Sequence, residues 1–220
     1  MKRLRFDVQK DLKLVRLISL TPHVLVVRAT LGAETLADLI RLAKAQPGKL
    51  TYASSGTGGA IHLASELFKR ETGTELVHVP YRGGGPAVMG LLTGDVDVFI
   101  NDASTTAENV HAGKLKALGM LNPTRSPLLP EVATFPELGY RNVVSSSWFG
   151  LAAPVNTPAP IIARIAQATD QVFASSAYQA GLKKLGLEQF MLTPEQSAAF
   201  IAAEVEKWTA VAQAAGIQVD

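Results

Sequence analysis

The feature that most constrains the fold is a regular alternation of short apolar runs with segments of helical periodicity. The runs of strand character are residues 50–53, 76–79, 96–100 and 115–120. A single segment of helical spacing separates each run from the next, and this order is typical of parallel strands joined by right-handed crossovers. The alternation therefore predicts an α/β fold with mostly parallel sheets.

Three of these runs lead directly into loops rich in glycine, hydroxyl or amide side chains. The first loop is SSGTGG at 54–59, the second is YRGGGP at 81–86, and the third begins with Asn101 and Asp102. In parallel sheets such loops gather beyond the carboxyl ends of the strands, where ligands bind. We therefore expect the three loops to form one ligand site.

The loop at 54–59 allows two interpretations. It can form an anion cradle, because glycine lets backbone N–H groups point inward and the following helix adds partial positive charge. It can equally be a tight turn that begins the helix. A dinucleotide fingerprint does not fit, because Ile61 stands where its third glycine belongs, and no Gly-Lys-Ser/Thr sequence follows to complete a phosphate-binding loop.

The other two loops also carry alternatives. Arg82 can pair with a carboxylate, although a solvated arginine beside a flexible turn is the more common role of such a residue. Asn101 can orient a ligand through hydrogen bonds and is the better ligand candidate of its pair. Asp102 is expected to cap the next helix.

The chain offers no catalytic or metal-binding pattern. Cysteine is absent, which excludes disulfides, thiolate metal sites and cysteine nucleophiles. His62 lies beside apolar neighbours near a helix start, where a packed histidine is more common than a catalytic base. His23, His78 and His111 lack metal-ligand spacing, and no nucleophile has an evident base partner. We therefore expect neither enzyme activity nor a cofactor or metal.

Charge and hydropathy bear on partners and location. The formal net charge of +2 is too small to predict a nucleic-acid partner. Residues 1–10 lack the uninterrupted apolar stretch of roughly 7–15 residues that a secretory signal needs. Residues 14–27 are too short for a membrane helix, which needs about 20 residues. The sequence as written predicts a soluble chain without an export signal, cytoplasmic if residue 1 is the true start.

The remaining segments complete the predicted α/β pattern. Residues 15–20 and 24–27 are predicted as two strands with Pro22 between them, and residues 123–136, with four prolines, as a long ordered loop. A strand-like run follows at 143–151. Helical segments are then predicted from the prolines near 158 to about 174, over 178–185, and from 194 toward the end of the chain.

Taken together, the segments resemble the substrate-binding proteins of tripartite tricarboxylate transporters, the Bug-type receptors. The order and spacing of the matching stretches fit almost the whole chain. These stretches are KLTYASSG through HLA within 49–64, VHVPYRGGGPA at 77–87, GDVD at 94–97, HAGKL at 111–115, RSP at 125–127, SSWFGL at 146–151, and AP at 153–154.

The resemblance implies a periplasmic-binding-protein-like fold of type II, in which two α/β lobes clamp a carboxylate. Residues 1–28 and 119–220 would form the first lobe, and residues 29–118 the second. The implied partners are a di- or tricarboxylate or related organic acid and the two membrane subunits of a transporter, and the implied location is the periplasm. The candidate ligand residues carried over are Ser54, Ser55, Thr57, Gly58, Gly59, Tyr81, Gly83, Gly84 and Asn101.

Three departures from the family pattern adjust these expectations. Gly59 and Ala60 stand where relatives often carry a hydroxyl, so one hydroxyl donor is expected to be missing. Asn101 stands where an acidic residue is common, and the loss of that negative charge favours a simple acid over an amino acid as the ligand. The sequence begins at a point that resembles the inside of the family pattern, so the first lobe is expected to lack its opening section. An incomplete first lobe would bind ligand weakly and favour self-association.

Two other functions remain open at the level of sequence. A vestigial or regulatory ligand-binding domain would keep the fold without a transport role. A doubly wound α/β enzyme would act on a phosphorylated or acyl substrate, but it would need a nucleophile and base that the sequence does not offer.

Overall fold

A computed structural model describes residues 6–217, which divide into two compact units. Of the described residues, unit 1 comprises 6–21 and 148–210, and unit 2 comprises Pro22–Ser147 and Val211–Ile217. The boundaries between the two units differ from the lobe boundaries expected from the sequence, which fall after residues 28 and 118. The lobe assignment therefore stays a prediction.

Seven strands and eight α-helices lie within the described residues. The strands are β1 (Leu12–Arg28), β2 (Thr51–Ser54), β3 (Val77–Pro80), β4 (Val98–Asp102), β5 (Leu115–Met120), β6 (Ser146–Pro154) and β7 (Glu188–Gln189). The helices are α1 (Val8–Asp11), α2 (Leu36–Ala45), α3 (Ala60–Thr72), α4 (Gly84–Thr93), α5 (Ala103–His111), α6 (Ala159–Phe173), α7 (Ser176–Leu185) and α8 (Pro194–Ala214). None of these helices is long and apolar enough to cross a membrane.

The sheet of unit 2 has the strand order β3-β2-β4-β1-β5. β2 pairs in parallel with both β3 and β4, and β1 pairs antiparallel with β4 and with β5. Because β1 lies between β4 and β5, those two strands run in the same direction. The carboxyl ends of β2, β3, β4 and β5 therefore meet at one edge, which we call the loop edge. The predicted α/β fold is confirmed, and the antiparallel pairs of the described sheet all involve β1.

Helical periodicity and caps explain why the crossovers form where they do. Thr35 and Asp38 form a capping box at the start of α2, with the Thr35 hydroxyl accepting from the Asp38 amide. Along α3 the buried apolar residues Ile61, Ala64, Leu67 and Phe68 recur at helical spacing. The core of unit 2 includes fully buried side chains from the sheet and the helices: Val24, Val26, Ala53, Leu91, Phe99 and Met120.

Strand β1 corrects one prediction, because it is continuous where the sequence indicated two strands around Pro22. Pro22 has no N–H, and it lies between the residues of β1 that pair with β7 and those that pair with β4. The pairs with β7 end at Leu20, and the pairs with β4 begin at His23. Proline is therefore accommodated inside one long strand.

The predicted long ordered loop after β5 is held by backbone hydrogen bonds. Met120 N–H donates to the Ala133 carbonyl, and Phe135 N–H donates to the Met120 carbonyl at 2.8 Å. The Phe135 ring is fully buried and meets Phe68 edge-on at 5.9 Å. Gly119 makes this packing possible, because a Cβ at that position would lie 2.8 Å from the Phe135 ring. The loop thus covers one side of the unit 2 core.

Unit 1 is held to its part of β1 by polar and aromatic contacts. Arg16 makes a two-point ion pair with Asp170 at 2.8 Å, and the Tyr178 hydroxyl donates to the Ile18 carbonyl. Within the described residues, strand β6 pairs with β1 alone. Phe149 and Leu151 of β6 are 54% and 37% exposed, so this strand presents apolar side chains to solvent.

Candidate functional site

The loop edge of unit 2 carries three helix starts that no side chain caps. The N-cap residues are Gly59 for α3, Gly83 for α4 and Asp102 for α5, and none provides a side-chain cap hydrogen bond. These helices follow β2, β3 and β4, whose carboxyl ends share one edge. First-turn N–H groups and partial positive charge are therefore available at this edge, and both favour an anion.

The first loop depends on glycine for its backbone conformation. Gly56 has φ of 143° and Gly58 has φ of 76°, values that other residues rarely adopt. Ser54 is fully buried, and its Oγ lies 2.6 Å from His78 Nε2 and accepts from the Gly56 N–H at 3.3 Å. In the described part of the chain, the hydroxyls of Ser55 and Thr57 make no hydrogen bond. Those two hydroxyls are therefore the available side-chain donors of the loop.

Two stacked histidines, His62 and His78, lie under the first loop, and we call them the histidine pair. Their ring centroids are 3.9 Å apart and nearly parallel, and Tyr52 stacks on His78 at 4.9 Å. His62 Nδ1 accepts a hydrogen bond from the Gly58 N–H at 3.0 Å. The sequence placed His62 correctly as a packed residue. Its contact with the glycine loop could not be anticipated without the structure.

The histidine pair is neutral at neutral pH because of its surroundings. Burial lowers the pKa of His62, and burial together with the neighbouring imidazole lowers the pKa of His78 to about 4. The Tyr52 hydroxyl donates to Glu66, and burial followed by that contact raises the pKa of Tyr52. Lys69 forms an ion pair with Glu66 at 2.7 Å, so the negative charge of this carboxylate near the rings is paired with a positive charge.

The second loop is joined to the first, and its tyrosine packs along α4. The Tyr81 N–H donates to the Ser54 carbonyl at 2.9 Å, which continues the β2–β3 pairing by one residue. The Tyr81 ring lies directly on Gly90 of α4. Gly83 has φ of 109°, and Gly84 lies beside the Asn101 side chain. Burial raises the pKa of Tyr81, so its hydroxyl stays protonated and can donate.

The third loop corrects the predicted role of Asp102. Its carboxylate does not cap α5; Oδ1 lies 3.4 Å from His23 Nε2 and is buried without a hydrogen-bond partner. The β1–β4 register places His23 opposite Asp102, which draws the carboxylate toward the imidazole. Asn101 is buried, and its Nδ2 donates to Thr105 Oγ1 at 2.5 Å. Its Oδ1 is left to accept.

A polar cluster around His23 lies at the same edge and was missed from the sequence. His23 is fully buried, with Nδ1 2.9 Å from Ser145 Oγ and Nε2 2.9 Å from Ser147 Oγ. These serines follow the long loop, more than 120 residues from His23 in the chain. Only the β1 register could have indicated the cluster. Asn122, just beyond β5, adds a second buried oxygen without a partner, its Oδ1.

The structure therefore brings the nine predicted residues to one edge of unit 2 but uses them differently. Ser54 and Asn101 are buried and engaged in internal bonds, whereas Thr57 is exposed and its hydroxyl is unengaged. Residues 6–217 contain no cluster of metal-ligating side chains. A separate groove of about 400 Å³ in unit 1 is lined by Lys13, Arg16, Asp170 and residues of α6, and includes none of the predicted residues.

Comparison with known proteins links this arrangement to transport receptors. The family model described as "Tripartite tricarboxylate transporter family receptor" matches residues 1–217. Protein BugT of Bordetella pertussis is 34% identical over 219 residues, covering 100% of this chain and 67% of BugT. The chain spans 62% of the length of two further curated relatives, one from a Pseudomonas species and one from Bordetella pertussis.

Two solved structures are similar over nearly the whole chain. The structure titled "R. palustris Rpa4515 with adipate" has a TM-score of 0.85 and 30% identity, covering 98% of this chain and 72% of the other. MatC from Rhodopseudomonas palustris, with bound malate, has a TM-score of 0.82 and 26% identity, covering 96% and 73%. The expected fold is thus shared with proteins whose structures hold adipate or malate.

Proposed function

The chain belongs to the tripartite tricarboxylate transporter family of receptors, and from this premise we propose that it captures a small organic carboxylate. Receptors of this family bind their solute without converting it, so the proposed activity is binding and not catalysis. The partners proposed for the loaded receptor are the membrane subunits of a tripartite transporter, and the proposed location is the periplasm.

The observation that carries the proposal is the convergence of three uncapped helix starts on the loop edge. A carboxylate needs hydrogen-bond donors, and the first turns of α3, α4 and α5 supply backbone N–H groups. The unengaged hydroxyls of Ser55 and Thr57 and the phenol of Tyr81 add side-chain donors. The nine predicted residues remain the proposed ligand residues, with Ser54 and Asn101 acting mainly through the shape of the loops.

A dicarboxylate is the ligand class that we propose. Adipate is bound in Rpa4515 and malate in MatC, and each carries two carboxylates. Asn101 is neutral and buried at the end of β4, so it offers no charge to a ligand ammonium group. We therefore expect malate and adipate to bind more tightly than aspartate.

Titration calorimetry with malate, adipate and aspartate tests the proposal. Thr57→Val removes an exposed donor from the first loop while keeping its shape, and we expect affinity to fall about two- to tenfold, the value of one hydrogen bond. Thr124→Val is the matched control, because Thr124 is also exposed and lies outside the three loops. Equal affinities of both variants for dicarboxylates, or tighter binding of aspartate, would contradict the proposal.

We also propose that copies of the chain associate weakly through β6. This strand pairs with β1 alone within the described residues, and it exposes Phe149 and Leu151. An exposed apolar strand edge is a template for pairing with another chain. Sedimentation velocity over a concentration series tests this: Phe149→Ser should weaken association, and a wild-type chain that stays monomeric at every concentration would refute it.

A further inference from the structure

The histidine pair is connected to the ligand loop through two separate hydrogen bonds. His62, from α3, accepts from the Gly58 N–H, and His78, from β3, is bonded to the Ser54 hydroxyl. Gly58 and Ser54 lie at opposite ends of the first loop. The loop is therefore held from below at both ends by two rings that also stack on each other.

The hydrogen bond from Gly58 determines the protonation state of His62. A backbone N–H can only donate, so Nδ1 of His62 must be the unprotonated nitrogen and the ring proton must lie on Nε2. A protonated imidazole carries hydrogen on both nitrogens. Adding a proton to Nδ1 would therefore turn the acceptor into a donor that faces the Gly58 N–H, and the bond would be lost.

Of the charged groups that face the histidine pair, the Glu66 carboxylate raises the ring pKa values and the Lys69 ammonium lowers them. Tyr52 from β2 is held protonated, and Glu66 of α3 is already paired with Lys69. A second imidazolium would stand only 3.9 Å from the first, measured between ring centroids. Protonation of both rings therefore opposes the stack, and protonation of His62 alone opposes the Gly58 bond.

We propose that His62, supported by His78, is a positioning residue that holds the 54–59 loop in its anion-binding form while the pair is neutral and releases the loop when the pair is protonated. The ligand part of this inference rests on the proposed function, whereas the coupling of loop and ring rests on the hydrogen bonds alone. The burial that lowers the pKa of both rings keeps the loop held at neutral pH. Acidification then weakens carboxylate binding.

Three variants separate this role from simple packing. His62→Asn keeps an acceptor near the position of Nδ1 but cannot be protonated, His62→Ala removes the acceptor, and His111→Asn removes an exposed histidine of α5 as the control. Affinity for malate and adipate is measured by calorimetry from pH 7.5 to pH 4, because the pKa of His78 is lowered to about 4. Protonation of the ligand itself is common to all variants, so the differences between variants report on the protein.

We expect wild type and His111→Asn to lose about two- to tenfold more affinity on acidification than His62→Asn. This factor corresponds to the loss of one hydrogen bond. At pH 7.5, His62→Asn should bind more tightly than His62→Ala. Parallel pH profiles for wild type and His62→Asn would overturn the inference while leaving the proposed function intact.

Nuclear magnetic resonance of the ligand-free protein tests the coupling independently of any ligand. At pH 7.5 the ring proton of His62 should be on Nε2, and the Gly58 amide resonance should shift with the same midpoint as the His62 ring. A His62 proton on Nδ1, or a Gly58 resonance that ignores the titration, would overturn the inference. If wild type binds no carboxylate at any pH, the proposed function fails and this spectrum alone decides the coupling.

Discussion

Replacement of Gly90 by alanine should lower the ligand affinity of unit 2 while leaving its free energy of unfolding nearly unchanged. A Cβ at this position would lie 2.7 Å from Cζ of Tyr81 and nearer still to its hydroxyl. Ordinary van der Waals contact begins at 3.4 Å, so the ring must withdraw by the difference, about 0.7 Å or more. Tyr81 is half-buried and packs against the outside of the unit 2 core, so its ring has room to swing outward.

The energetic effects of this substitution oppose each other. Alanine is favoured over glycine inside a helix by roughly 0.5–1 kcal/mol, and Gly90 is within α4. Loss of the Tyr81 contact offsets part of this gain, so we expect the free energy of unfolding to change by less than about 1 kcal/mol. Tyr81 is one of the proposed ligand residues, so its displacement should reduce dicarboxylate affinity about two- to tenfold.

Thermal unfolding and calorimetry with malate measure the two quantities separately. Gly181→Ala is the matched control, because Gly181 lies inside α7 and a Cβ added there would meet no neighbouring atom within 4 Å. That variant should gain helix stability and keep its ligand affinity. The reasoning is refuted if Gly90→Ala keeps wild-type affinity, or if it is destabilised by several kcal/mol.

Two further predictions concern stability. Gly119→Ala would force a Cβ to within 2.8 Å of the fully buried Phe135 ring, and the free energy of unfolding measured in urea should fall by about 1–3 kcal/mol; an unchanged urea midpoint would contradict this. The histidine pair has folded pKa values below 6.5, so the unfolded chain binds more protons in acid, and stability should fall as pH drops from about 6.5 toward 4. Urea midpoints that stay constant over this range would disprove the assignment.

The order of elements could be predicted because local patterns determine it. Strand-like runs separated by single helices require parallel neighbours, and this alone placed the first, second and third loops at one edge. The position of the three loops at one edge therefore followed from sequence spacing. The family resemblance then added the carboxylate, which no single loop could indicate.

The parts that could not be predicted depend on contacts between distant segments. Asp102 occupies an N-cap position, but the opposing strand brings His23 close enough to draw its carboxylate away. Pro22 looked like a strand boundary, but it lies inside one strand, between the residues that pair with β7 and those that pair with β4. The bond between His62 and Gly58 spans only four residues, yet its geometry requires the positive φ of Gly58. These contacts depend on strand register and backbone torsion angles, which cannot be derived from composition.

The central claim is that a carboxylate binds at the loop edge of unit 2, and amide shift mapping tests it most directly. Uniformly ¹⁵N-labelled protein is titrated with malate and, separately, with adipate. We expect saturable shifts of the amides at the three helix starts, namely Gly58, Gly59, Gly83, Gly84 and Ala103. Saturable shifts confined to the Lys13 and Arg16 groove of unit 1, or no saturable shift at all, would contradict the claim.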